Sequence, residues 1–111
     1  MQNVSGLKPL GYSVLVEPYE PDTMTKGGIL IPQNKRDSML MLDQRAVVVE
    51  VGPMAWSDEK APRAEPGDKV MVSRMAGNMI QGTADGKQYR MVLDRDIFAG
   101  IETEGAAINY V

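Results

Sequence analysis

The chain has 111 residues and a formal net charge of −3. We therefore expect one domain with a single core, and the acidic balance argues against a nucleic-acid or membrane-surface binder, which needs a basic patch. The sequence contains no Cys and no His, which excludes disulfides, thiol nucleophiles, the usual zinc ligands and the usual general base. No apolar run approaches the ~20 residues of a membrane span, and the start lacks signal-peptide features, so we expect a cytoplasmic protein.

The first strand is predicted over residues 7–17. Val14, Leu15 and Val16 are consecutive, so apolar groups lie on both faces of this strand. Pro18 ends the apolar pattern. Residues 1–6, which precede the strand, are predicted to form a loose arm.

A long polar loop, about residues 20–44, carries an apolar triplet at residues 29–31. Two glycines precede the triplet, and glycine lets the backbone turn either way. The triplet is either a short core strand or an exposed contact, whose burial on a partner would release roughly 1.5–3 kcal/mol per side chain before ordering costs. Loops longer than about 12–15 residues in compact domains are usually functional or disordered, which favours the exposed contact. A second apolar patch, residues 39–42, is either a strand edge or turn packed on the core, or an adaptable Met-rich contact.

Further short strands follow, separated by turn signals. Residues 45–51 are β-branched and nearly continuous, which predicts a central strand. The other predicted strands are residues 69–73, 79–81, 88–93 and 97–102, with Val70 and Val72 on one face of the first. An Asp-Gly pair at residues 85–86 predicts a hairpin, and residues 94–96 predict a short helical turn or a bridge between strands. Because no helical period is sustained, the chain is predicted to be all-β, a small barrel or sandwich.

Two side-chain arrangements are predicted in this second half. Residues 88–93 alternate, with Tyr89, Met91 and Leu93 on one side of the strand. Residues 54–65 read as a surface excursion, in which Trp56 either anchors the segment onto the barrel or contacts another subunit.

The order of these pieces resembles the GroES family, the ring-forming co-chaperonins. The resemblance rests on five motifs in family order: Pro-Leu opening an apolar strand at residues 7–16, Gly-Gly-Ile and aliphatics at 26–32, a valine-rich strand ending in Val-Gly at 46–52, Gly-Asp opening a strand at 66–72, and an acidic turn before an apolar strand at 94–102. The sequence departs from the family pattern at Tyr12 and Ser13, which replace the usual Asp-Arg. The chain after the triplet is also longer, a shortened roof segment is expected at 53–66, and the tails 1–6 and 103–111 are extra. Such divergence is what we would expect of a bacteriophage-encoded member.

The resemblance implies one GroES-like Greek-key β-barrel over residues 1–111 with a mobile loop. It implies a subunit of a ring, expected to be a heptamer, that caps the ATP-bound form of a GroEL-type chaperonin and assists ATP-dependent protein folding. The expected chaperonin-binding residues are Lys26, Gly27, Gly28, Ile29, Leu30 and Ile31. First and last strands of adjacent subunits are expected to pair, and the expected interface residues are Leu10, Tyr12, Val14, Ile97, Phe98 and Ile101. No catalytic residue, cofactor, metal, nucleic acid or membrane is expected.

Two other functions remain open from the sequence. The first is a viral or cellular structural β-barrel protein that uses the loop as a docking arm. The second is an enzyme, which we do not expect. GroES-like barrels occur in medium-chain dehydrogenases, but this chain has no room for their nucleotide-binding domain. Asp94 and Asp96 suggest two-carboxylate chemistry, yet acids at a turn are far more often solvated or capping.

Overall fold

The computed structural model describes residues 2–19 and 43–103. Within these residues the chain forms six strands and one 3-10 turn: β1 (Ser13–Pro18), β2 (Arg45–Val51), β3 (Lys69–Val72), β4 (Asn78–Gln81), β5 (Gln88–Leu93), the turn at Asp94–Asp96 and β6 (Ile97–Gly100). All strand pairs are antiparallel, in the order β4-β5-β1-β2-β3-β6. The all-β prediction is confirmed, and the Asp-Gly pair lies in the β4–β5 hairpin as expected.

The first strand begins later than predicted. Gly11 has a positive φ of 58°, and the Ser13 N–H donates to Leu10 O at 3.0 Å. The chain therefore turns before it enters the sheet. Its predicted start at residue 7 is replaced by Ser13.

The sheet must curl, because the chain passes from β5 to β6 in only three residues. These strands lie four places apart in the sheet order, which is roughly 19 Å across a flat sheet at the usual strand spacing. The chain from Leu93 to Ile97 reaches at most roughly 14 Å even when fully extended. A strongly curved sheet removes this conflict, so the architecture is the small β-barrel that the sequence predicted.

Small aliphatic side chains fill the inner face. The main core cluster consists of Val14, Val16, Ala46, Val48, Trp56, Ala64, Val70, Val72, Val92 and Ile97. A smaller cluster contains Leu15, Val49 and Tyr89. The predicted pairing of Val70 and Val72 on one face is confirmed, since both belong to the main cluster.

The prediction that Tyr89 and Met91 lie on one side of β5 is confirmed, but this side does not face the main core. Tyr89 and Met91 belong to the smaller cluster, and Leu93 is 39% exposed. The main core receives Val92 instead, and Arg90 in the same strand is fully buried. The alternation of residue types along β5 divides its side chains between two faces but does not say which face meets the larger core. It also gives no sign that Arg90 is buried.

The prediction of a loose arm at residues 1–6 was wrong for residues 2–6, the part of the arm that the structure describes. Ser5 is fully buried. Its N–H and hydroxyl donate to Asn3 Oδ1 at 3.0 and 2.6 Å, and its carbonyl accepts from the Ala84 N–H at 2.8 Å. Asn3 also donates to the Glu50 carboxylate. Short polar side chains that bond to nearby backbone give this arm a fixed turn.

The segment at residues 53–66 contains no strand, so it forms no roof hairpin within the subunit. Trp56 is only 2% exposed. Its indole Nε1–H donates to Asp94 O at 3.0 Å, and its backbone N–H donates to Asp94 Oδ2 at 2.8 Å. Trp56 therefore anchors this segment onto the barrel, and the alternative role as a contact between subunits is excluded by its burial.

Candidate functional site

The predicted chaperonin-binding residues, 26–31, lie outside the described residues, as does the apolar patch at 39–42. Their roles stay predictions. The structure describes the residues that flank 20–42 on both sides, at the ends of β1 and β2. Pro18 pairs with Ala46, and the Tyr19 N–H donates to Arg45 O at 3.3 Å. Both ends of the segment therefore meet at one end of the β1–β2 pair.

Three side chains hold these two ends together, and we call them the basal clasp: Tyr19, Asp43 and Arg45. Arg45 makes a forked ion pair with Asp43, with Nε 3.0 Å from Oδ1 and Nη2 2.8 Å from Oδ2. The same guanidinium lies over the Tyr19 ring, 4.7 Å from its centroid. Fork geometry is the strongest form of this ion pair, and the ring contact adds roughly 0.5–2 kcal/mol according to its exposure. Arg45 thus contacts the residues that flank the segment on either side, Tyr19 and Asp43.

A second arginine fixes the clasp to the barrel. Arg90 donates through Nη1 to Asp43 O at 3.3 Å, through Nη2 to Ser73 O at 3.1 Å and through Nε to Ala76 O at 2.7 Å. Burial lowers the pKa of Arg90, and the negative charges of Asp96 and Asp43 oppose this shift. Arginine remains protonated in proteins, so a full charge lies beneath the downstream end of the segment.

Sequence analysis assigned no role to the clasp or to Arg90. One signal was available for the clasp, because Asp43 and Arg45 are two residues apart where a strand begins. Residues with that spacing lie on the same face of a strand. No local pattern reveals Arg90, since its partners are backbone carbonyls brought together by the fold.

The predicted subunit-interface residues divide into two groups. Leu10, Tyr12 and Phe98 are 69%, 50% and 55% exposed, and Ile101 is partly buried. The side chains of Val14 and Ile97 belong to the main core of the subunit, so they are not available for direct contact with a neighbour. The interface role of the exposed residues stays a prediction.

The two strands expected at the interface, β1 and β6, differ in whether they have a free edge. Within the described strands β1 is not an edge, because it lies between β5 and β2. Among the described strands β6 pairs only with β3. The Ile101 N–H faces β3, where it donates to Lys69 O at 2.9 Å. By alternation, the N–H and C=O of Gly100 face the free side of β6.

A cavity of about 480 Å³ lies next to the turn between β5 and β6, and it is lined by Tyr12, Asp58, Glu59, Arg63, Leu93, Asp94 and Arg95. Arg63 Nη1 donates to Ile97 O at 2.7 Å, and its Nε lies 3.0 Å from Glu59 Oε1. This hydrogen bond to Glu59 raises the pKa of Arg63. Arg63 thereby occupies one backbone acceptor of β6.

The carboxylates proposed for chemistry have structural partners instead. Asp94 accepts from the backbone of Trp56, and Asp96 Oδ2 accepts from the Leu93 N–H at 3.0 Å. Across residues 2–19 and 43–103, no three His, Cys, Asp or Glu side chains are grouped to hold a metal ion. The same ranges contain no helix with the length and apolar character to cross a membrane.

Residues 6–101 match the family model for the "Chaperonin 10 Kd subunit". The chain belongs to the chaperonin 10 kDa family. The chain is 35% identical to Co-chaperonin GroES of Corynebacterium jeikeium, over 92% of this chain and 99% of the relative. Co-chaperonin GroES of Acetivibrio thermocellus is 36% identical over 86% of this chain and 98% of its own length; that of Clostridium novyi is 35% identical over the same shares. The co-chaperonins are not enzymes, so membership confirms the prediction of a non-enzymatic chain.

Proposed function

We propose that the chain is a subunit of a ring that caps a GroEL-type chaperonin in its ATP-bound form and assists protein folding in the cytoplasm. The observation that carries this proposal is the family match over residues 6–101, which spans the entire segment between β1 and β2. Residues 26–31 of that segment are the proposed chaperonin-binding residues. The hydrogen bond from the Tyr19 N–H to Arg45 O supports the proposal, because the described residues on either side of 20–42 meet at one point on the barrel.

The binding energy comes from the three aliphatic residues 29–31. Burying each one releases roughly 1.5–3 kcal/mol, and ordering the chain around them offsets part of this gain. A single subunit should therefore bind weakly. Several tethered copies on one ring bind tightly together, because each contact after the first is effectively intramolecular. This combination suits a lid that must be released in each ATPase cycle.

We propose that the ring, expected to be a heptamer, forms along the free side of β6. Gly100 presents its backbone N–H and C=O there, and Phe98 exposes more than half of its side chain. A bare strand edge of this kind promotes aggregation unless it is covered. Leu10 and Tyr12 on the neighbouring subunit are the proposed partners for this edge, since both are exposed apolar residues ahead of β1.

The test of the proposed function is Ile29→Asp in the full chain. We expect the ring to assemble as in the wild type, measured by analytical ultracentrifugation, and we expect capping to be lost, measured by refolding of a client with a GroEL-type chaperonin and ATP. The matched control is Met75→Asp, which changes an apolar side chain that is 54% exposed outside the segment. This control should cap normally. An Ile29→Asp protein that still caps, or that fails to assemble, would refute the assignment.

A further inference from the structure

We propose that Arg45 is a positioning residue for chaperonin binding, because it holds Tyr19 and Asp43, the residues on either side of 20–42, together at one point on the barrel. This inference rests on the proposed function. It assigns a role to a described residue that contacts both ends of the segment without being part of it.

Arg45 is the side chain that links the upstream end to the downstream end. Its guanidinium lies over the ring of Tyr19 on one side and forms two hydrogen bonds with Asp43 on the other. The backbone bond at this position, from the Tyr19 N–H to Arg45 O, is 3.3 Å long. This length exceeds the usual 2.9–3.0 Å for an amide bond. The side chains of the clasp therefore supplement a long backbone hydrogen bond at the end of the β1–β2 pair.

The clasp is fixed in place as well as closed. The Asp43 carboxylate is fully buried, whereas the Arg45 side chain keeps 23% of its surface exposed. Asp43 O also accepts from the buried Arg90, which bonds to Ser73 O in the turn after β3. The contact of Arg45 with Asp43 therefore connects both ends of the segment to the body of the barrel.

A closed clasp should raise chaperonin affinity, because the residues of the clasp are already ordered and need not become ordered on binding. Lengthening a tether by a few residues changes its closure entropy only slowly, as the logarithm of its length, so tether length is not the main effect. The apparent affinity instead scales with the fraction of subunits whose base is already in the binding-competent arrangement. Because several subunits bind together, a loss at each one multiplies across the ring.

The experiment compares four variants of the full chain with the wild type: Arg45→Met, Arg45→Lys, Tyr19→Leu and, as the matched control, Arg74→Met at an exposed position. Three quantities are measured for each: hydrogen exchange of the Tyr19 amide, affinity for a GroEL-type chaperonin with ATP, and Tm. We expect Arg45→Met to accelerate exchange at Tyr19 at least tenfold and to weaken binding at least tenfold. Arg45→Lys keeps the charge but loses the fork and the stacking, so its values should be intermediate. Arg74→Met should match the wild type.

Tyr19→Leu keeps the experiment informative if Arg45→Met folds poorly, because it opens the clasp without removing the ion partner of the buried Asp43. We expect it to accelerate exchange and weaken binding in the same direction. A lower Tm with wild-type affinity would show a merely structural role and overturn the inference. Unchanged exchange at Tyr19 in Arg45→Met would overturn it without any chaperonin. Failure of the wild type itself to bind a chaperonin would instead refute the proposed function.

Discussion

Replacing Arg90 with methionine tests how much of the barrel depends on one buried charge. Arg90 is fully buried and donates to three backbone carbonyls, those of Asp43, Ser73 and Ala76. The methionine side chain fills part of the volume of arginine and supplies none of its hydrogen-bond donors. Ser73 O would keep a partner, because it also accepts from the Ala76 N–H at 3.1 Å. The carbonyls of Asp43 and Ala76 would lose the donor that Arg90 provides.

The expected loss of stability follows from these two carbonyls. Removing one hydrogen-bond donor from a buried polar group costs about 1–3 kcal/mol. Two such groups give about 2–6 kcal/mol, from which the relief of no longer burying a cation must be subtracted. We therefore expect Arg90→Met to lower the free energy of unfolding by about 2–4 kcal/mol. This is a large share of the 5–15 kcal/mol typical of a whole domain.

Urea unfolding followed by tryptophan fluorescence measures this change directly. The chain has a single Trp, and Trp56 is 2% exposed in the main core, so its emission reports on the barrel. Arg74→Met is the control for loss of an exposed positive charge and should change stability by less than about 0.5 kcal/mol. All variants are compared at one protein concentration, because assembly adds to apparent stability. An Arg90→Met protein within about 0.5 kcal/mol of wild type would refute the reasoning.

Two further predictions concern β5 and its neighbours. Gly77→Ala should lower stability by more than about 2 kcal/mol, because Gly77 has φ +72° and an added Cβ would lie 2.1 Å from Met91 O. In Gly86→Ala, which has the same φ and whose added Cβ would meet only Gln81 Nε2 at 3.8 Å, urea unfolding should show a loss of only about 1–2 kcal/mol. Burial and the hydrogen bond to Asp85 raise the pKa of Tyr89 to about 12. A raised pKa means that the stabilisation is complete below pH 10 and is lost as the pH rises to 12, with a slope of at most about 1.4 kcal/mol per pH unit. Alkaline unfolding curves of Tyr89→Phe should lack this component, and identical curves for the two proteins would contradict it.

The strands were the most predictable part of the molecule. The bounds of β2 and β5 agree with those expected from the sequence, because β-branched and alternating residues are bounded there by turn residues. The first strand was the exception. The predicted strand includes residues 7–12, but the chain turns at Gly11, which has a positive φ, so β1 begins at Ser13.

The site was less predictable, because its contacts join residues far apart in sequence. Arg90 meets Asp43 across 47 positions, and Trp56 meets Asp94 across 38. The sequence identified Trp56 as an anchor candidate from its size and its place in a polar segment. It gave no reason to bury Arg90, since arginine is rarely buried unless it is paired and its acceptors are backbone atoms.

By itself, the sequence determined that the chain is all-β, that it has the order of motifs of the co-chaperonins, and that a long segment with an apolar triplet separates its first two strands. These properties follow from local periodicity and spacing. Only the tertiary structure decided that β1 lies inside the sheet while β6 has a free side, that Val14 and Ile97 belong to the subunit's own core, and that Arg45 and Arg90 hold the base of the segment. The physical reason is that free strand edges, burial and the contacts of the basal clasp all depend on which strands become neighbours. Closure of the whole barrel determines which strands those are.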